Sequence, residues 1–166
     1  MPTPRSLSLS TQDFWQFSLS HYARAGVKTA SLTLQNEYQG NVNLALLLHW
    51  LDTQRIGLTD LEINALITVL TLSDTRLEQY RAMRQQLKPQ LDQAGYQQLL
   101  AFELELEKSQ QHELLGQINQ FACVGSNPTA EVVKEAVTGA TSENNLARYC
   151  QLLGASTLLL RLQAHQ

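Results

Sequence analysis

The chain has 166 residues, of which 43% are hydrophobic and 16% are charged, and its formal net charge is −3. This length is typical of one domain and allows a core to be buried without disulfides or metal ions. The weak negative charge excludes the broad basic surface of a general nucleic-acid or anionic-membrane binder. Leu and Gln number 31 and 19, whereas Val and Ile together number 11. Such a composition favours helices over strands.

The N-terminal residues carry no targeting signal. Residues 1–10 contain two prolines and no apolar run, so they are predicted to be a disordered arm. The longest apolar block, around Leu44–Leu48, is far shorter than the roughly 20 residues of a membrane span. Cys123 and Cys150 lack metal-ligand spacing and are expected to be free thiols. We therefore expect a cytoplasmic protein without a metal or another cofactor.

Residues 11–166 are predicted to form a single all-α domain of seven or eight helices. Five of these precede Pro89. Helix starts are indicated by Ser10, Asn41 and Thr59, the last of which forms a capping box with Glu62. The predicted helices run from Ser10 to before Gly26, from Val27 to Gly40, from Asn41 to about Gln54, from Thr59 to Leu72, and from Ser73 or Asp74 to Leu87.

The C-terminal half continues the helical pattern. A long helix is predicted from about Gln90 to Ala122, with a possible interruption near Gly95. Asn127-Pro128 begins the next helix, and Thr141 or Ser142 begins the last one. The pattern leaves open whether this last helix continues past Gly154.

Two helices are apolar on every side. The apolar residues of the third and fourth helices point in all directions on a helical wheel, and a helix of this kind is surrounded by protein. We therefore expect residues 41–72 to form a buried central hairpin, wrapped by the other helices or by a second subunit.

Several N-terminal motifs resemble a family of short proteobacterial proteins known as a domain of unknown function. The motifs are Trp15-x-Phe17, Tyr22, Gly26-Val27, Leu32-x-Leu34-Gln35, Gly40, Val42-Asn43-Leu44 and Trp50, followed by Arg81-x-x-Arg84-x-x-x-Lys88. The resemblance covers roughly residues 10–110, whereas residues 111–166 form a variable helical C-terminal part. It implies a bacterial origin and a helical fold, but it implies no reaction.

A basic edge on the fifth helix is one candidate site. Arg81, Arg84 and Lys88 follow 3-4 spacing and therefore share one face. Glu103 and Glu107 fall inside the apolar arc of the long helix, where an unpaired carboxylate is costly. These residues form either an internal set of ion pairs or an anion pocket. Counting from the turn near Pro89, the hairpin register favours a pair between Arg81 and Glu103.

A polar cluster near the start of the third helix is a second candidate. Gln35 and Asn43 lie close in sequence to Trp50, and polar groups beside an aromatic ring can bind a small ligand. Asn41 and Asn43 can equally cap the helix start. No motif of a nucleophile, a metal site or a phosphate loop is present, so no catalytic residue is predicted.

Two functional hypotheses remain at this stage. The first is a non-enzymatic protein-interaction module that acts through helix faces, either alone or as a homodimer. The second is a helical protein that binds a small ligand or an anion, using Arg81, Arg84 and Lys88 with Trp50, Asn43 and Gln35. An enzyme is third, because the sequence carries no catalytic signature.

Overall fold

The computed structural model describes residues 9–124 and 144–164, and within these ranges it contains seven α-helices and no strand. The prediction of an all-α domain is therefore confirmed. The predicted helix after Asn127 and most of the predicted N-terminal arm lie outside the described residues. The helices are α1 (Thr11–Tyr22), α2 (Val27–Glu37), α3 (Val42–Thr53), α4 (Asp60–Leu87), α5 (Gln93–Val124), α6 (Asn145–Leu153) and α7 (Leu159–Leu162), with 3-10 turns at Lys88–Gln90 and Ser156–Leu158.

Three helices begin at the capping residues that their sequences indicate. The Ser10 hydroxyl accepts the third backbone N–H of α1, and the Asn41 side chain does the same for α3. Thr59 and Glu62 form the predicted reciprocal capping box at the start of α4. Each cap satisfies backbone N–H groups that have no partner within the helix.

The predicted break at Ser73 and Asp74 is wrong, because α4 runs without interruption through both residues. Their side chains do not cap a helix. Both accept hydrogen bonds from the Gln110 amide on α5, at 3.0 Å and 2.9 Å. Residues of capping type can bridge two helices when a partner faces them, and a local pattern does not distinguish these uses.

The predicted central hairpin of residues 41–72 is also wrong in its pairing. α3 is central, since Leu44, Leu47 and Leu48 are all inaccessible to solvent. α4, however, leaves Leu61 and Leu72 76% and 63% exposed, and it packs along α5 to form the hairpin that the structure contains. The most extensive helix packing of α3 is against α6.

The C-terminal helices close the core over α3. Asp52, at the end of α3, accepts the first two backbone N–H groups of α6, those of Asn145 and Leu146, at 2.8 Å and 3.1 Å. Gly154 ends α6 in a left-handed conformation with φ of +72°, so this helix does not continue as such. No helix within residues 9–124 and 144–164 is both long enough and apolar enough to cross a membrane.

Candidate functional site

A cleft of about 590 Å³ opens between α1, α2, α4 and α5, next to the start of α3. The aromatic residues of the lining lie on α1, and its charged residues other than Lys28 lie on α4 and α5. We call the buried and half-buried amide and charged side chains of the lining from the start of α3, α4 and α5 the floor of the cleft. This volume and this mixture are typical of small-molecule sites. The lining includes Trp15, Tyr22, Lys28, Gln35, Asn41, Asn43, Asp74, Glu78, Arg81, Arg84, Glu103, Leu104, Glu107, Gln110 and Gln111.

Arg81, Arg84, Glu103 and Glu107 form an ion-pair set at one end of the cleft. Arg81 donates to Glu103 at 3.1 Å through Nε and to Glu107 at 3.3 Å through Nη2. Arg84 donates from Nε to the other oxygen of Glu103, at 2.6 Å. The antiparallel course of α4 and α5 brings these residues together, with Arg81 opposite Glu103 as the turn register predicts. Both oxygens of Glu103 and both guanidinium groups are therefore engaged within the protein.

Burial governs the ionisation of this set. Loss of water raises the pKa of Glu107, an effect that the nearby Arg81 guanidinium opposes and that the Glu103 carboxylate adds to. Burial also raises the pKa of the Tyr22 hydroxyl, and the Glu107 charge raises it further. Arg81 thus compensates only part of the cost of holding Glu107 at this position.

A chain of side-chain amides forms the rest of the floor. Gln110 donates from Nε2 to Asp74 Oδ1 at 2.9 Å and accepts at Oε1 from Asn43 Nδ2 at 2.9 Å. Asn43 in turn accepts at Oδ1 from Gln111 Nε2 at 3.0 Å. Asn41 donates from Nδ2 to Asp74 at 2.5 Å and to Gln110 at 2.9 Å. We refer to Gln110, Asn43 and Gln111 as the amide chain.

The structure brings four of the six predicted binding residues into one cleft and leaves out Lys88 and Trp50. Gln35, Asn43, Arg81 and Arg84 all line the cleft, although Asn43 belongs to the amide chain and is not the cap of α3. Lys88 does not line the cleft, and its ammonium group lies 5.2 Å from the centroid of the Tyr96 ring.

Trp50 also lies outside the cleft. It packs between α3 and α1, with ring centroids 5.2 Å from Phe14 and 6.3 Å from Phe17. It is partly buried against the core. Its neighbours there are aromatic rings, so the proximity of Trp50 to Gln35 and Asn43 in sequence does not become a shared site.

Sequence reasoning missed three residues of the floor, namely Asp74, Gln110 and Gln111. A signal for the two glutamines was present, because they lie four residues before Leu114 and Leu115 and so share their buried face. Polar side chains at buried helix positions require partners. No comparable signal identified Asp74, since a carboxylate in that context equally fits a helix start.

In the described ranges, no three side chains of His, Cys, Asp or Glu are grouped in a way that could hold a metal ion. The arginines and glutamates of the ion-pair set bind one another, and the amide chain holds its hydrogen-bonding groups in a fixed arrangement. This chemistry can recognise and orient a polar molecule.

Comparison with known proteins identifies the family. The chain belongs to the family described as protein of unknown function (DUF2390), whose model matches residues 13–114. The matched region contains most of α1, all of α2 to α4, most of α5 and the whole floor of the cleft. It does not contain α6, which closes the core over α3. No curated protein and no solved structure matches the chain.

Proposed function

We propose that this protein binds a small polar molecule in the cleft and that its role is recognition. The observation that carries this proposal is the floor, where ionised groups and amides from α3, α4 and α5 hold one another in place at the base of a cleft of about 590 Å³. Rigid polar groups in a concave site of this size are typical of ligand recognition.

The contacts of the floor favour recognition over a purely structural role. Asn43, Gln110 and Gln111 are all buried, yet the cleft reaches them. A polar network in a closed core would be replaceable by apolar side chains at little cost. A network that borders an open cleft instead offers fixed hydrogen-bonding directions to whatever enters it.

The same contacts disfavour an anion at Arg81, Arg84 and Lys88. An anion would compete with Glu103 and Glu107, which already balance the charge of both guanidinium groups, and a displaced carboxylate with a side chain only 12% or 29% exposed would lose its partner. That loss is costly because the charge is partly shielded from water. Lys88, outside the cleft, would not assist.

A binding screen tests the proposed function. Isotope-labelled protein would be mixed with a library of cationic, anionic and neutral metabolites, and the side-chain amide signals of Gln110 and Asn43 would be followed by NMR. We expect at least one compound to shift these signals with saturation. Filling the cleft with Leu104→Trp should abolish the shifts, whereas Leu160→Trp, at an exposed position outside the cleft, should preserve them. A library without any effect on the floor signals would refute the proposal.

A second candidate function is self-association through α4. Leu61, Leu72 and Met83 are 76%, 63% and 41% exposed and follow one another at intervals of eleven residues, about three helical turns, so they share the face opposite the core. A second copy of the chain could cover this uncharged face. Light scattering with size-exclusion chromatography tests it. Leu72→Glu should lower the measured mass, whereas Leu152→Glu, at an exposed position of α6, should not.

We also propose a cytoplasmic location. Cys150 is a buried free thiol, and burial raises its pKa to about 11. Free thiols are typical of reducing compartments. Cys123 lies in the part whose side chains are not described, and it is likewise expected to be unbonded. Alkylation of freshly isolated, unfolded and unreduced protein should modify both cysteines, and a disulfide in mass spectra would contradict the location.

A further inference from the structure

Asp74 determines which atom of each amide in the cleft floor donates and which accepts a hydrogen bond. A carboxylate only accepts, so the Gln110 amide turns its Nε2 towards Asp74 and its Oε1 away. That oxygen accepts from Asn43 Nδ2, which leaves Asn43 Oδ1 to accept from Gln111 Nε2. Asn41 agrees with this order, because its own oxygen is held by the start of α3 and only its Nδ2 can face Asp74.

The amide chain ends on an acceptor that lacks a donor. Gln111 is 2% exposed, and its Nε2 is committed to Ser18 Oγ and to Asn43 Oδ1, each at 3.0 Å. The Ser18 hydroxyl cannot serve as a donor to Gln111, because it donates to the Phe14 carbonyl. The buried Gln111 Oε1 has no hydrogen-bond partner in the described part of the chain. Since Gln111 borders the cleft, an incoming N–H group is what this oxygen lacks.

Outside the ion-pair set, the charged side chains of the cleft carry more negative than positive charge. The two arginines are balanced by Glu103 and Glu107 within the ion-pair set. Among the remaining charged groups of the lining, Asp74 and Glu78 outnumber Lys28. Neither of these carboxylates belongs to an ion pair within residues 9–124 and 144–164. The partners of Asp74 are neutral amides that both bind Oδ1.

We propose that the ligand of the cleft is a small molecule that carries a protonated amine for Asp74 and a further N–H donor for the carbonyl end of the amide chain, Gln111 Oε1. This inference rests on the proposed function. An ammonium group supplies only donors and a positive charge, which matches both the unpartnered carbonyl and the unbalanced carboxylates. Trp15 and Tyr22 line the same cleft and offer aromatic surface to the body of such a ligand.

Three probes with one carbon skeleton test the chemical class. Cadaverine, pentanediol and glutarate differ only in their terminal groups, which are ammonium, hydroxyl and carboxylate. Titrations followed by NMR on the floor amides should give an affinity for cadaverine at least about tenfold higher than for the other two, the ratio expected from one favourable charge contact. Glutarate or pentanediol binding the cleft as tightly would overturn the amine inference and leave the proposed function standing.

Variants that remove one negative charge inside or outside the cleft distinguish binding at Asp74 and Glu78 from a general effect of the protein's net charge on cadaverine. Asp74→Asn should weaken cadaverine binding about tenfold, and Glu78→Gln, at an exposed position of the rim, about twofold to threefold. Glu113→Gln removes the same charge from an exposed position of α5 outside the cleft and should change nothing. Equal weakening by Glu113→Gln would overturn the inference. If Asp74→Asn does not fold, Glu78→Gln against Glu113→Gln decides.

Absence of a floor response to all three probes would also overturn the inference. The proposed function would then be judged separately by the metabolite library, which contains classes that these probes do not represent. A library hit of anionic or neutral chemistry would preserve recognition in the cleft and reject the amine. A silent library would reject both.

Discussion

Replacing Arg81 with Met removes one cation from the ion-pair set while keeping most of the aliphatic stem. Glu103 retains Arg84 at 2.6 Å, whereas Glu107 loses the only ion-pair partner it has among the described residues. Breaking a fully buried pair costs about 3–5 kcal/mol, and breaking an exposed one costs about 0–1 kcal/mol. Because the Glu107 side chain is 29% exposed and can regain some water, we expect Arg81→Met to cost about 2 kcal/mol.

A double-mutant cycle with Glu107→Gln isolates the interaction. Gln keeps an acceptor for other donors but carries no charge, so Arg81→Met should cost less in this background. We expect a coupling energy of about 1 kcal/mol. Free energies of unfolding come from urea titrations followed by far-UV circular dichroism at neutral pH, with slopes compared to verify that each variant unfolds from the same state.

The chain contains a matched control pair. Lys108 and Glu105 lie on α5 at 3.2 Å, close to the Arg81–Glu107 distance, but their side chains are 45% and 66% exposed. Their coupling should be only about 0.3 kcal/mol. Equal coupling energies for the two pairs, or additive effects of the Arg81 and Glu107 substitutions, would refute the argument that burial strengthens the Arg81–Glu107 pair. Arg81 would then be available to an external anion.

Three further outcomes are expected. Gly40→Ala places a Cβ 2.7 Å from Leu34 Cγ and should cost about 1–3 kcal/mol in urea titrations, whereas Gly116→Ala, with open space in α5, should stabilise by up to about 1 kcal/mol. Burial lowers the pKa of His21 from its ordinary value of 6.5. As the pH falls below 6.5, the imidazole gains a proton in the unfolded chain before it does so in the folded one, so the free energy of unfolding decreases. His21→Gln should make the free energy of unfolding less dependent on pH in this range, and an unchanged dependence would contradict the reasoning. Ending the chain at Val124 removes α6 and exposes the apolar side chains of α3, so the truncated protein should bind a hydrophobic dye and lose cooperative unfolding. Cooperative unfolding without dye binding would contradict the closing role of α6.

Local signals in the sequence determined the helix starts. Ser10, Asn41 and Thr59 each bind a backbone N–H three residues ahead, and an interaction of that range is contained in a few consecutive residues. The burial of α3 was also predicted from its apolar residues. The same pattern gave a wrong prediction for the start of α4, where Leu61 and Leu72 are exposed. The register of Arg81 and Glu103 also followed from the chain, since a short turn joins their two helices.

Tertiary structure alone decided which polar side chains meet. Asn43, Asp74 and Gln110 are more than thirty residues apart, and their side chains suit a cap, a helix start or an exposed surface equally well. Only the packing of α3 against the α4–α5 hairpin brings them into hydrogen-bonding distance. Tertiary structure also decided the role of Ser73, where a helix break was wrongly expected. Its hydroxyl can cap the start of a helix or accept a hydrogen bond from a neighbouring helix, and the packing of α5 against α4 selects the second role.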